Sequence, residues 1–228
     1  SSPVHIGTSS WSTISSTNSF TIGLRSDGKI FGWGDNTYGQ LGLGDVTPRS
    51  SPVVIGSNIW SSVAAGYSHT LAIRSDGSLW AWGHGTAGQL GDGTVVSKSS
   101  PILIGSSSWT SVSAGNSWSI AIRKDGLLFT WGLNNFGQLG DGTTINKSSP
   151  VLIGTSSWTK VSAGQFHTTG IDSTKMYFYT WGNNALGQLG DNTSILKSSP
   201  VQIGTGSWSS ISAGLDHTLA INTIGQLF

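Results

Sequence analysis

Three histidines recur at one position of this chain and could do chemistry together. His69, His167 and His217 each follow the pattern Ala-Gly-x-x. Because histidine is the commonest metal ligand and a general base near neutral pH, such repetition could build a metal ring or a row of bases. Phe20 and Trp118 hold the same position, however, and neither side chain can bind a metal or carry a proton. We therefore predict a packing slot, with the imidazole bonded to the backbone.

A repeated aspartate offers a second candidate site. Asp92, Asp141 and Asp191 follow the motif Gly-Gln-Leu-Gly, and Leu43 occupies this position in its first copy. Calcium loops cluster several oxygen ligands within a few residues, whereas each loop here offers one carboxylate. We predict that the aspartate caps its own turn, and we predict no metal or cofactor site.

One cation also recurs, three residues before each of four prolines. It could engage an anionic polymer, but a single cation per repeat with an aspartate nearby gives a weak field, so we predict a solvated rim. The four cations are Arg49, Lys98, Lys147 and Lys197.

The composition excludes several classes of protein. Charged residues make up 9% of the 228 residues, against roughly 25% in ordinary soluble domains. The chain has no Cys, which removes disulfide scaffolds and Cys-based zinc sites. Its net charge of +1 gives no reason to expect nucleic acid or a membrane surface as partner. No apolar run reaches the ~18 residues of a membrane helix, and no nucleophile, phosphate-loop or zinc-protease motif is present, so we predict no enzyme.

The elements that carry these residues repeat about every 49 residues. Three independent markers share this period: a Ser-Pro segment, two tryptophans and the Gly-Gln-Leu-Gly motif. The units start near Ser2, Ser51, Ser100, Ser149 and Ser199. The first tryptophan position holds Trp11, Trp60, Trp109, Trp158 and Trp208, the second holds Trp33, Trp82, Trp131 and Trp181, and the glutamines are Gln40, Gln89, Gln138 and Gln188. We predict that these glutamines satisfy backbone groups of the long turn.

Each unit reads as four short strands separated by turns. The second unit contains β-type runs at 52–55, 60–65, 69–73 and 78–82, bounded by Gly, Ser and Asn. An Asp76-Gly77 hairpin joins the last two runs, and the fourth unit has a longer turn there. Four strands per unit favour a blade of an all-β propeller. We predict that the Pro run is the first strand, that Ala-Gly marks a crowded innermost strand, and that aromatic-x-Trp on the fourth strand fills the wedge between blades.

The motif Trp-Gly-x-Asn-x-x-Gly-Gln-Leu-Gly resembles the repeat of the RCC1 (regulator of chromosome condensation) family. It is clearest at residues 33–42, 131–140 and 181–190, whereas Gly85 replaces the Asn in the second unit. The resemblance implies a β-propeller, usually of seven blades. Members of the family serve as guanine-nucleotide exchange factors, chromatin-binding modules or interaction domains. Exchange activity in the family depends on an inserted wedge, and no unit here departs from 49 or 50 residues.

The whole chain, residues 1–228, is predicted to be one propeller domain with four complete repeats and an incomplete fifth. We interpret it as a fragment or partial ring of a longer protein. The alternative assigns the Pro strand to the preceding blade as its outer strand. Residues 1–6 would then complete the blade begun by residues 205–228 and close a five-bladed ring.

Sequence alone favours a non-enzymatic scaffold that binds a protein or a surface glycan through its blade-top loops. The framework is nearly constant, whereas the turn after Trp-Gly varies, and recognition usually lies in such loops. One alternative is a guanine-nucleotide exchange or regulatory propeller, and another is an assembly subunit that self-associates through open edges. The composition favours an extracellular, cell-surface or virion-surface location. The predicted contact residues are Asp35, Asn36, Tyr38, His84, Asn134, Phe136, Asn183 and Asn184.

Overall fold

The chain forms β-strands joined by turns, and a computed structural model describes residues 7–228. Within that range there is no helix, and the paired strands are antiparallel. The strands are β1 (Trp11–Ser16), β2 (Phe20–Arg25), β3 (Ile30–Gly34), β4 (Arg49–Val54), β5 (Trp60–Ala65), β6 (His69–Arg74), β7 (Ser78–Gly83), β8 (Lys98–Ala114), β9 (Trp118–Arg123), β10 (Leu127–Gly132), β11 (Lys147–Ala163), β12 (His167–Asp172), β13 (Phe178–Gly182), β14 (Lys197–Ile203), β15 (Trp208–Ala213) and β16 (Thr218–Asn222).

The first four blades are four-stranded, but they are offset from the sequence units by one strand. In the first blade the order is β1-β2-β3-β4, so the strand with Ser-Pro comes last. Val53 of that strand lies opposite Gly32 of the preceding aromatic-x-Trp strand. The prediction that the Pro run opens the blade is therefore wrong, and aromatic-x-Trp occupies the third strand. The backbone of the Pro strand pairs with the third strand of the same blade, which belongs to the preceding sequence unit.

Two long strands pass from one blade into the next. Strand β8 has 17 residues: Leu103 pairs with Trp80 of β7, and Val112 pairs with Ala121 of β9. Strand β11 repeats this arrangement between β10 and β12. Outer and inner strands of successive blades are thus continuous, and one hydrogen-bonded ladder runs from β5 to β14.

The described residues form a partial propeller. The fifth blade consists of β15 and β16, with one further bridge between Ile221 and Leu227. Among the paired strands between residues 7 and 228, none joins the first blade to the fifth. The proposed completion of the last blade by residues 1–6 lies outside the described residues.

Small residues lie where the innermost strands converge, as predicted. A Cβ built on Gly66 would lie 2.7 Å from the carbonyl oxygen of Gly115, and one on Gly115 would lie 2.7 Å from that of Gly164. Real Cβ atoms do not come so close to a carbonyl, so any larger residue would push successive blades apart.

The hydrophobic core lies between blades. One cluster joins Leu41 and Ile55 of the first blade to Trp60, Val63 and Trp82 of the second blade. The Trp60 ring lies 5.9 Å from that of Trp82, and Trp82 is completely buried. The prediction that the aromatic-x-Trp pair fills the wedge between blades is confirmed.

The hairpin turn of the fourth blade differs from the others, as its sequence predicts. In the first three blades Gly takes the left-handed position, for example Gly77 with φ of 86°. The fourth blade places Met176 there, with φ of 59°. The longer turn is closed by Asp172, whose carboxylate accepts a 2.7 Å bond from the amide of Tyr177.

Candidate functional site

At each of the three joints between the first four blades, a carbonyl oxygen accepts two side-chain donors from the next blade. The indole Nε1 of Trp131 donates to the carbonyl of Gln89 over 2.9 Å. The hydroxyl of Ser119 donates to the same oxygen over 2.7 Å. The same pair of bonds joins Trp82 and Thr70 to Gln40, and Trp181 and Thr168 to Gln138. The repeated tryptophans of Trp-Gly therefore lock each blade to the one before it.

The repeated glutamine side chain closes the turn that precedes it. Oε1 of Gln40 accepts a 2.9 Å bond from the amide of Tyr38, and Gln138 does the same for Phe136. The structure thus places these glutamines where the sequence predicted, bonded to the backbone of the long turn. Each glutamine is therefore structural in two ways: its side chain closes the turn, and its backbone carbonyl binds the next blade.

Three of the eight predicted contact residues are buried and hold the turn together. Asn36, Asn134 and Asn184 are each 0% exposed. The Asn134 amide donates to the carbonyls of Thr143 and Ile145 and accepts from the amide of Leu139. These buried asparagines bridge two loops and support the turns from inside, while the prediction that the loops bind a partner stays a prediction. An amide side chain can donate and accept hydrogen bonds at once, which this position requires, and this explains why Asn recurs there.

Two of the three repeated histidines, His69 and His167, are buried and bonded between blades, whereas His217 in the last blade is exposed. Nε2 of His69 lies 2.9 Å from the hydroxyl of Ser119 in the next blade, and Nε2 of His167 lies 3.0 Å from that of Thr218. Burial lowers the pKa of His69 to about 3 and that of His167 to about 4. The packing slot is confirmed for His69 and His167, where the bonded partner is a hydroxyl and not the backbone, but it does not hold for the exposed His217. The chemistry at this position is therefore structural.

The repeated aspartate caps its turn and pairs with the repeated cation. Oδ1 of Asp141 accepts bonds from the amide and the hydroxyl of Thr143, while Oδ2 lies 3.2 Å from Nζ of Lys147. Burial raises the pKa of Asp141, but these hydrogen bonds outweigh burial, and the pKa lies below its ordinary value. Within residues 7–228 no group of three His or Asp side chains is placed to hold a metal ion.

Two sets of turns share one end of the blades. The amide of His84 donates to the carbonyl of Ser68, and the amide of Asn183 donates to that of Phe166. These bonds join each turn after Trp-Gly to a turn after Ala-Gly. We call the surface they form the turn face. It comprises residues 17–19, 35–38, 66–68, 84–87, 115–117, 133–136, 164–166, 183–186 and 214–216.

The turn face presents several exposed apolar side chains among polar ones. Tyr38, Tyr67, Leu186 and Leu215 are 44%, 51%, 73% and 59% exposed. Tyr67 and Leu215 lie around a central depression of about 200 Å³. The nine segments contain no Lys or Arg. Such clusters of exposed apolar side chains mark interaction sites more often than single exposed residues do.

The opposite end of the blades is charged. Its hairpin turns carry the ion pairs Arg25–Asp27 at 2.6 Å and Arg123–Asp125 at 2.7 Å. The turn-face end carries ion pairs as well, since Arg49 and Lys98 lie opposite Gly34 and Gly83, directly beside the turns after Trp-Gly.

Sequence reasoning missed the inner half of the turn face. Tyr67, Phe166 and Leu215 lie between Ala-Gly and the histidine slot, a segment interpreted only for its histidine. A sequence signal for this half did exist. The residue after Ala-Gly varies from unit to unit, with Tyr67, Asn116 and Gln165 at equivalent positions, and such variation on a constant framework is typical of exposed loops. Of the predicted contact residues, Tyr38 stacks on His84 with ring centroids 4.3 Å apart, and Phe136 packs on Phe166 at 5.2 Å.

We expect the substitution Asn183→Asp to stabilise the fourth turn. Nε2 of Gln188 is buried without a hydrogen-bond partner, whereas the equivalent Gln40 donates over 2.8 Å to the carboxylate of Asp35. Aspartate has the same shape as asparagine and presents an oxygen in place of the amide nitrogen. The free energy of unfolding at pH 7 should rise by about 1 kcal/mol, measured by urea denaturation. Asn183→Leu, which copies Leu133, is the control and should give no gain; equal stability of the Asp and Leu variants would contradict the argument.

Comparison with known proteins agrees with this architecture. The model of the RCC1-like domain matches residues 2–228. The chain belongs to the RCC1-like family. Its propeller fold supports a protein-interaction or regulatory role. A search of curated proteins found no significant match to the RCC1-like chain.

Solved structures share this fold at low sequence identity. Human WBSCR16 is 22% identical with a TM-score of 0.86, over 96% of this chain and 60% of that one. Yeast RCC1 (Prp20), solved bound to Kap60, is 20% identical with a TM-score of 0.82, over 94% and 54%. Prp20p from Saccharomyces cerevisiae has also been described with its binding to Gsp1p and histones. The RCC1-like chain thus spans little more than half the length of these neighbours.

No helix between residues 7 and 228 is long and apolar enough to cross a membrane.

Proposed function

We propose that this RCC1-like chain is a non-enzymatic interaction module that binds a protein partner through the turn face. The observation that carries the proposal is the exposure of Tyr38, Tyr67, Leu186 and Leu215 in turn-face segments that contain no Lys or Arg. Interface cores are depleted in charged residues and enriched in aromatic ones, and tyrosine is frequent among the residues that dominate binding energy.

Rigid support strengthens the proposal. The turns that present these side chains are fixed by the buried asparagines and glutamines and by the inter-blade bonds. The amide of Tyr67, for example, donates to the carbonyl of Gly115 in the next blade over 3.2 Å. A fixed backbone loses little entropy when a partner binds, so a modest apolar area can give useful affinity.

The composition of the surface favours a protein over a charged polymer. The four cations at the rim are paired with aspartates, for example Arg49 with Asp45 at 2.6 Å and Lys197 with Asp191 at 3.4 Å. Paired cations release few counterions on binding a polyanion, so they give little affinity for nucleic acid.

The test is capture of partners by three immobilised forms of the chain, read by quantitative mass spectrometry. One form is unchanged, one carries Tyr67→Ser with Leu215→Ser, and the control carries Ile224→Ser. Ile224 is 78% exposed at the charged end, so the control removes an apolar side chain from the other surface. We expect the double variant to capture the partner at least about tenfold less, as loss of binding hot spots does, and the control to capture it normally.

Equal capture by all three forms would overturn the turn face as the binding surface. Two further assays decide between the alternatives. Binding on a glycan array without protein capture would assign a glycan partner, and accelerated release of GDP from a small GTPase would assign a regulatory function.

A further inference from the structure

Two equivalent cavities lie between four-stranded blades. One is in the joint between the second and third blades and has a volume of about 410 Å³, and the other is in the joint between the third and fourth blades and has a volume of about 570 Å³. Both volumes are within the range of small-molecule sites. We call them the joint cavities. No residue of the turn-face segments lines either cavity, so they form a separate surface.

An aromatic corner forms one wall of each cavity. The ring of Trp109 meets that of Phe129 edge to face, with centroids 5.3 Å apart, and Trp158 meets Tyr179 in the same way at 5.3 Å. All four rings line the cavities. Aromatic walls with a few polar groups beside them are typical of sites for small ligands.

Hydroxyl groups that have no hydrogen-bond partner stand beside the aromatic corner. Ser107 and Ser149 line the first cavity, and Ser156 and Ser199 hold the same positions in the second. None of these four hydroxyls, nor that of Tyr179, bonds to another group of residues 7–228. Each of them can both donate to a ligand and accept from it.

One carboxylate lines each cavity, and a lysine balances its charge. Oδ1 of Asp92 accepts bonds of 3.0 and 2.8 Å from the amide and the hydroxyl of Thr94. Its Oδ2 lies 3.7 Å from Nζ of Lys98, beyond hydrogen-bond distance, so this oxygen has capacity to accept a donor from a ligand. Asp141 in the second cavity pairs with Lys147 at 3.2 Å. A balanced pair favours a neutral ligand that donates hydrogen bonds over a charged one.

The joint between the first and second blades shows which change closes a joint cavity. Leu43 holds the position of Asp92 there. It packs against the cluster that contains Ile55 and Trp60, the equivalents of Ile104 and Trp109. A leucine at this position therefore covers the wall that the aspartate leaves open.

We propose that each joint cavity binds a neutral pyranose sugar. Such a ring has a face of C–H groups, which pack on an aromatic corner, and an edge of hydroxyls. The sugar hydroxyls donate to the carboxylate of Asp92 or Asp141 and exchange hydrogen bonds with the serine hydroxyls. Two equivalent sites in adjacent joints suit a glycan with repeated units. This inference is independent of the proposed function, because the joint cavities and the turn face share no residue.

The test follows the indole N–H signals of the whole chain by nuclear magnetic resonance, since each joint cavity is lined by one indole. The probes are the methyl glycosides of glucose, galactose and mannose. We expect at least one of them to shift the signals of Trp109 and Trp158 saturably, with a dissociation constant of about 1 mM, the affinity expected of so small a ligand. The signal of Trp60 should not respond, because Leu43 covers that position. The anionic methyl glycoside of N-acetylneuraminic acid should not bind.

A pair of variants separates the two cavities. Asp92→Leu copies the first joint, and it should weaken the response of Trp109 at least about tenfold, the effect of losing a hydrogen bond to a charged group. The response of Trp158 should be unchanged in this variant. Asp141→Leu should give the reverse pattern. In each variant the signal that still responds shows that the chain is folded.

The control is Asp76→Leu. Oδ1 of Asp76 also accepts bonds from the amide and the hydroxyl of a residue two positions later, at 2.9 and 2.6 Å, but Asp76 lies in a hairpin turn and lines neither cavity. Its removal should leave both responses unchanged. No saturable shift with any of the three neutral glycosides, or equal responses of Trp109 in Asp92→Leu and in the unchanged chain, would overturn the proposal. Saturable shifts with acetyl-leucine-amide but with none of the glycosides would also overturn it, and would assign an apolar side chain as the occupant.

Discussion

Replacing Trp131 by alanine is expected to lower the free energy of unfolding by about 3 to 5 kcal/mol, the range for a fully buried large aromatic. Trp131 is 0% exposed and packs with Leu90, Ile104 and Trp109 across the joint between the second and third blades. The substitution leaves a cavity there and removes one of the two donors to the carbonyl of Gln89. The measurement is urea denaturation followed by circular dichroism.

Two controls separate packing from hydrogen bonding at this position. Trp131→Phe keeps most of the ring and loses the N–H donor, so its loss should be clearly smaller than that of the alanine variant. Tyr67→Ala removes an aromatic ring that is 51% exposed, and its effect should stay within about 0.5 kcal/mol. A loss of less than about 1 kcal/mol for Trp131→Ala would show that the joint does not depend on the indole.

Acid is expected to destabilise the chain through its buried histidines. An unfolded histidine has its pKa near 6.5, whereas burial lowers the pKa of His69 to about 3. The unfolded state therefore binds the proton more readily. The stabilising effect of neutral His69 is complete above about pH 6.5 and is lost as the pH falls from there toward 3. Between pH 7.5 and pH 5 this should remove about 2 kcal/mol for His69.

The variant His69→Phe isolates this contribution. Phe20 fills the equivalent slot at 2% exposure, so a phenyl ring fits the position. His167, with its pKa lowered to about 4, should contribute a similar loss over the same range. We expect the unchanged chain to lose roughly twice as much stability as His69→Phe between pH 7.5 and pH 5. Identical pH profiles of unfolding for the two chains would contradict the role of His69.

The sequence predicted the propeller because its strongest signals are local. The Asp-Gly hairpins and the paired aromatics each lie within one unit, and the period shows that every unit repeats them. The assignment of the Pro strand failed because it depends on a partner in the neighbouring unit: Val53 pairs back to Gly32, and no pattern within residues 51–60 states this. Strand pairing across a long loop is a tertiary property, whereas strand formation is visible in a few residues.

The candidate site was predicted only in part for a related reason. Variation after Trp-Gly correctly marked exposed Tyr38, but the same turns contain the buried Asn134, which bridges to Thr143 and Ile145. Its side chain faces inward, and sequence position gives no direction within a turn. Leu215 was missed because it adjoins a repeated histidine, which is the stronger signal. Only the folded structure shows which of these side chains are exposed.

The identical joints have a consequence for the length of the array. The three joints between the first four blades use the same positions on both of their sides. One unit supplies a glutamine carbonyl and a glycine, and the next supplies a hydroxyl and an indole. Because any unit is a compatible neighbour for any other, units could be gained or lost in whole multiples of about 49 residues without the need to evolve a new interface. The contacts specify how one blade meets the next; they contain no instruction for how many blades there are.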